Sequence, residues 1–119
     1  MRLKAEIWVK AYLRTCAIAG APGVVVRHGD DDAGAVFIKI CRLDGTARLF
    51  GPAPAGLDEQ HRDRRWAAHL DNADTTEADV DVYLQRQIEF DPDLWVIEIE
   101  DRSGRHLLDD WLAPEQLPM

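Results

Sequence analysis

Asp44-Gly45 constrains this chain more than any other feature, because it separates one apolar run, Ala35 to Leu43, from a second, Thr46 to Phe50. A type I′ turn needs positive φ at both central residues, which Asp-Gly tolerates, so the flanking runs are expected to pair as an antiparallel hairpin. A two-residue loop sets Leu43 opposite Thr46, Cys41 opposite Arg48 and Lys39 opposite Phe50. One face then carries Val36, Ile38, Ile40, Ala47 and Leu49, a core face. The other carries Phe37, Lys39, Cys41, Arg48 and Phe50, mixing cations with aromatic rings.

Further elements follow from pattern. Residues 3 to 19 suit a helix, with Leu3, Ile7, Ala11, Thr15 and Ile18 at helical spacing and Gly20 and Pro22 ending it; residues 7 to 13 also alternate as a strand would. Val24 to His28 is a β-branched run expected to form a hairpin with Ala35 to Leu43 across the acidic turn Gly29 to Gly34. Residues 51 to 65 read as loop-rich, and residues 65 to 70 as a short strand. Thr75 and Thr76 precede Glu77 and Asp79, which caps a helix running to about Phe90 with Val80, Tyr83, Leu84, Gln87 and Ile88 inward; Asp91-Pro92 stops it. Leu94 to Glu100 alternates as a strand. Leu107, Leu108, Trp111 and Leu112 form a closing apolar cluster on a short helix, before a loose tail at 113 to 119. The expected architecture is a single α+β domain over residues 1 to 119, with an antiparallel-dominated sheet of four to five strands and two main helices packed on one face.

Charge narrows the partners. Fourteen basic against 22 acidic residues give a formal net charge of −8, which repels phosphate backbones, so nucleic acid is a disfavoured partner. Glu6, Lys10 and Arg14 interrupt the basic N-terminal stretch that would otherwise resemble an export signal, and no run is long and apolar enough to span a membrane. Cytoplasmic residence is the expectation. Two cysteines, Cys16 and Cys41, fit reduced, buried thiols rather than a disulfide framework.

Candidate chemistry is sparse. The acidic turn, His28 with Asp30, Asp31 and Asp32, lacks the spacing of a calcium loop, and the scattered His61, His69 and His106 form no zinc pattern. No metal or cofactor is therefore expected. Asp91, Asp93, Glu98 and Glu100 around a strand suggest a metal-dependent nuclease, but Glu98-Ile99-Glu100 offers an acid where such a site usually places a lysine. Nucleophile elbows, phosphate-binding loops and dinucleotide fingerprints are missing from the sequence. Two surfaces remain as binding candidates: Phe37, Lys39, Arg48 and Phe50 on the sheet, and Trp111 in the tail.

Four stretches together, Leu3 to Arg14, Arg42-Leu43-Asp44-Gly45, Gly51-Pro52-Ala53-Pro54 and Phe90 to Trp95, resemble a family of small alphaproteobacterial proteins, the domain of unknown function 1491 family. The resemblance implies a bacterial cytoplasmic protein of similar length and brings no activity, substrate or catalytic residue with it. The reading is therefore a noncatalytic protein-binding or accessory module, with self-association as one option and leaning away from an enzyme. The competing readings are a small metal-dependent hydrolase or nuclease, and nucleic-acid binding through the basic aromatic face.

Overall fold

The computed structural model describes residues 3–54 and 64–113. Helix α1 (Ala5–Ile18) is followed by strands β1 (Gly23–Arg27), β2 (Val36–Cys41), β3 (Ala47–Pro52) and β4 (Trp66–Leu70), helix α2 (Glu77–Phe90), strand β5 (Trp95–Glu100) and a 3-10 turn at Asp109–Trp111. The five strands form one sheet in the order β1-β5-β2-β3-β4, antiparallel except where β5 runs parallel to β2. The α+β class and the mostly antiparallel sheet agree with the sequence reading. Among the described residues no helix is long and apolar enough to cross a membrane.

Two features of the layout of strands and helices differ from expectation. First, β1 and β2 do not form a hairpin, because β5 lies between them and pairs with both. Every residue of β2 is buried, so this strand needs a hydrogen-bonded neighbour on each side and cover on each face, which only a central position supplies. Second, the two helices pack on opposite faces. Along β5, Trp95, Ile97 and Ile99 join the core beneath α1, while Val96 joins a second core with Val80 and Leu84 of α2.

Residues 7 to 13 are helical. The helix α1 buries Ala5, Trp8, Val9, Tyr12 and Cys16, leaving Ile7 and Ile18 of the other apolar row exposed. The large aromatic area decides this phase: Trp8 stacks on Trp66 with ring centroids 3.9 Å apart and on Tyr12 at 5.0 Å. Such pairs add about 0.5–1.5 kcal/mol each beyond burial. Its end is a Schellman motif, with Gly20 at φ +85°, its N–H donating to Ala17 O, and the Ala21 N–H donating to Cys16 O. Helix α2 opens with a capping box, Thr76 and Asp79 each accepting from the other's backbone N–H. Val80 and Leu84 of its expected stripe are buried, and Tyr83, Gln87 and Ile88 are half-buried.

Candidate functional site

The β2–β3 hairpin is shifted by one residue from the expected pairing. Ile38 faces Phe50, Lys39 faces Leu49 and Ile40 faces Arg48, while Arg42 N–H bonds Thr46 O, so the loop is Leu43-Asp44-Gly45 with Leu43 at φ +67° and Gly45 at +90°. Because side chains alternate with period two, a one-residue shift moves a whole strand's set to the opposite face. Phe37, Lys39 and Cys41 consequently face α2, while Arg48 and Phe50 lie on the α1 side. The two phenylalanines are buried on opposite sides of the sheet. They form no shared platform. Arg48 forks onto Asp71, donates to Gly104 O, and lies 4.9 Å from the Phe50 ring centroid. Trp111 is half-buried, its ring edge against Trp8 at 5.3 Å and Tyr12 at 6.4 Å, and it sits on a 3-10 turn rather than an amphipathic helix.

Lys39 is the sequence candidate around which structure gathers. A lysine inside a fully buried strand must be compensated, and α2 presents Glu77 and Asp81 one turn apart on the side that meets β2. The Lys39 ammonium donates to Asp81 Oδ1 at 2.9 Å and lies 3.4 Å from a carboxylate oxygen of each of Glu77 and Glu98. Burial alone would lower the Lys39 pKa; the hydrogen bond and charge of Asp81, with Glu98, outweigh it and hold the amine above the ordinary lysine range. Glu98 comes from the neighbouring strand β5, while Glu77 and Asp81 come from a helix the strand pattern did not implicate.

Cys41, Glu77 and Glu98 bring potential ligand atoms within 4.8 Å of one another. The arrangement suits a proton and an ammonium better than a divalent ion. Burial, then the charge of Glu98, push the Cys41 thiol up to about 12, and the thiol donates to Glu77. Lys39 already holds the space between both carboxylates. A metal would have to displace both.

Beside this cluster lies an open cleft of about 300 Å³ between β1 and α2, with Val26, Leu84, Ile88 and Val96 as apolar walls and Lys39, Asp81 and Glu98 among its polar lining. Arg27 fixes the apolar end: it pairs with Val96 and donates to Pro92 O. The outer wall is β1, an edge strand whose Val24, Val25 and Val26 are 58%, 40% and 59% exposed. Glu100 N–H donates to Pro22 O across the β1–β5 ladder. Since antiparallel pairs alternate, Val24 and Glu98 form the next hydrogen-bonded pair, and the N–H and C=O of Gly23 and Val25 turn outward. A register shift between Val25 and Arg27 leaves Val26 bulged out of the ladder, over the cleft.

The other sequence candidates are occupied locally. In the acidic turn, Asp30 accepts from the N–H groups of Asp32 and Ala33, and His28 pairs with Asp31 at 2.6 Å while packing against Trp95. Asp91 accepts from Asp93 N–H in the turn after α2, whereas Glu98 belongs to the Lys39 cluster, so the suspected acids do not converge. His69 donates through Nε2 to Pro52 O and receives Tyr83 OH at Nδ1, a clamp between β3, β4 and α2. His61 lies outside the described residues.

The model of the family described as "Protein of unknown function (DUF1491)" matches residues 3–109. The chain belongs to the DUF1491 family. Similar solved structures agree. The crystal structure of a DUF1491 family protein from Caulobacter crescentus CB15 is 42% identical with a TM-score of 0.76, covering 94% of this chain and 98% of that one. An NMR structure of a DUF1491 family protein from the same organism is 44% identical, with a TM-score of 0.73 and coverage of 90% and 93%. A solution structure of a protein from A. tumefaciens is 35% identical, with a TM-score of 0.72 and coverage of 84% and 86%. No curated protein shows significant similarity to the chain.

Proposed function

We propose that this DUF1491 protein is a noncatalytic protein-binding module whose docking surface is the β1 edge together with the cleft beneath α2. The observation that carries the reading is the coincidence of outward backbone groups at Gly23 and Val25 with three exposed valines on one edge strand. Exposed apolar edges template strand addition, and native chains usually blunt them with charge or cover them. Among the described residues, the Val26 bulge and the flanking Pro22 and Arg27 do so. The chemistry of the Lys39 cluster supports the same reading: a protonated thiol and a cationic amine in three ion contacts are poor nucleophiles. A cytoplasmic, bacterial setting accords with the reduced cysteines and the family. A second copy is the competing occupant of the same edge, and Trp111, packed on Trp8 and Tyr12, is on this reading a cap of the α1 core rather than an interface.

Selection from a displayed random-peptide library tests the proposal, with a folded Val26→Arg variant as counter-screen. Enriched peptides should bind the parent protein and lose the variant. Enrichment insensitive to Val26→Arg, or a stable dimer by light scattering that excludes peptides from β1, would count against it.

A further inference from the structure

The distribution of charge along the cleft bears on the kind of chain that the β1 edge accepts. Three carboxylates surround the single Lys39 ammonium, leaving two negative charges in excess. The lysine side chain is only 7% exposed, whereas those of Glu77, Asp81 and Glu98 are 41%, 64% and 34% exposed. The cation is therefore enclosed and its three anions each keep a face toward solvent, able to meet a second cation. These charges all lie toward the Val24 end of β1, since Glu98 pairs with Val24 and Lys39 runs beside Glu98 on β2. The opposite end, around Val26, Leu84, Ile88 and Val96, is apolar, and the cation there, Arg27, is turned to Pro92 O.

We infer that the cleft takes an extended peptide carrying an apolar residue followed two positions later by lysine or arginine, added as a strand antiparallel to β1. This deepens the docking reading and rests on it. An antiparallel addition runs from the Arg27 end to the Gly23 end, so the residue entering the apolar pocket comes first. With period two, the next side chain on the same face arrives over Asp81 and Glu98. The backbone of Gly23 and Val25 supplies the ladder, which is indifferent to sequence, and the cleft supplies the selection. Gly23 lets α1 close over the strand's other face: a Cβ there would lie 2.8 Å from both Ile99 Cγ2 and Leu13 Cδ2. The net charge of −8 favours a basic partner at long range as well.

The test uses three capped hexapeptides, Thr-Ile-Thr-Lys-Val-Thr and the same sequence with glutamine or glutamate in place of lysine, titrated into ¹⁵N-labelled protein. The lysine peptide should shift the amides of Gly23, Val25 and Asp81, with the glutamine peptide about fivefold weaker, the glutamate peptide weaker still, and the difference shrinking with salt. Asp81→Asn, a change at an exposed position, should reduce the preference for lysine to about twofold while circular dichroism stays unchanged. Equal binding of all three peptides at β1 would overturn the charge assignment and leave the docking reading standing. Binding by none of them, or shifts confined to residues away from β1 and α2, would overturn both.

Discussion

Replacing Lys39 with methionine removes the cation but keeps most of the apolar stem, and so isolates the electrostatic role of the cluster. Removing one partner of a buried ion pair typically costs about 3–5 kcal/mol, because the remaining charge stays buried and unpaired. Here the remaining carboxylates are 34% to 64% exposed and can take up water, which discounts the cost to about 2–3 kcal/mol. At about 4 °C per kcal/mol for a domain of this size, the midpoint of thermal unfolding should fall by about 8–12 °C. Urea unfolding followed by tryptophan fluorescence at pH 7 measures the change directly. Adding Glu98→Gln to the variant should restore part of the loss by reducing repulsion. Lys10→Met, which breaks the exposed pair with Glu6, should leave unfolding unchanged within error. The pH dependence has a definite sign. A raised folded pKa means that the Lys39 contribution is fully present below the unfolded lysine value near 10.4 and is lost only as pH rises through the higher folded value. The gap between parent and variant should therefore stay flat from pH 6 to pH 9. A loss as small as that of Lys10→Met, or no recovery with Glu98→Gln, would refute the argument.

Three other expectations follow from the same geometry. Cys16 and Cys41 are both buried with thiol pKa values raised first by burial, to about 12 for Cys41, so neither should react with a thiol reagent at pH 8 until urea unfolds the chain; fast reaction of native protein would contradict this. Burial and the nearby Arg48 lower the His106 pKa, so its imidazole should titrate below 6.5 by NMR, and its contribution to stability is present above the unfolded value and lost as pH falls through the folded one. A midpoint at or above 6.5 would oppose it. Trp111→Ala should cost about 2 kcal/mol through lost contact with Trp8 and Tyr12 while leaving the solution mass unchanged; a halved mass with an intact fold would make the tail an interface instead.

Local grammar was legible and long-range grammar was not. The capping box at Thr76, the stop at Asp91-Pro92 and the alternation of β5 are written in adjacent residues, and each is present. The hairpin register failed because its loop has three residues, with Leu43 in a left-handed conformation that costs a side-chain-bearing residue roughly 1–2 kcal/mol and that sequence rules assign to Asp-Gly instead. That single slip broke up the imagined platform of Phe37, Lys39, Arg48 and Phe50. The insertion of β5 between β1 and β2 depends on which pairing buries more surface across the whole chain, which no short window carries. In the resulting order β1 pairs with β5 alone and is an edge strand. A signal for the Lys39 cluster did exist: a lysine within the apolar run Val36 to Cys41, and acids at Glu77 and Asp81 flanking Val80 at helical spacing.

Amide hydrogen exchange at Gly23 and Val25, with and without a peptide taken from the library selection, tests the docking surface most directly. If β1 accepts a strand, these outward amides become protected on binding while residues 107 to 112 are unchanged. Protection confined to the tail around Trp111, with β1 exchanging as before, would contradict the account.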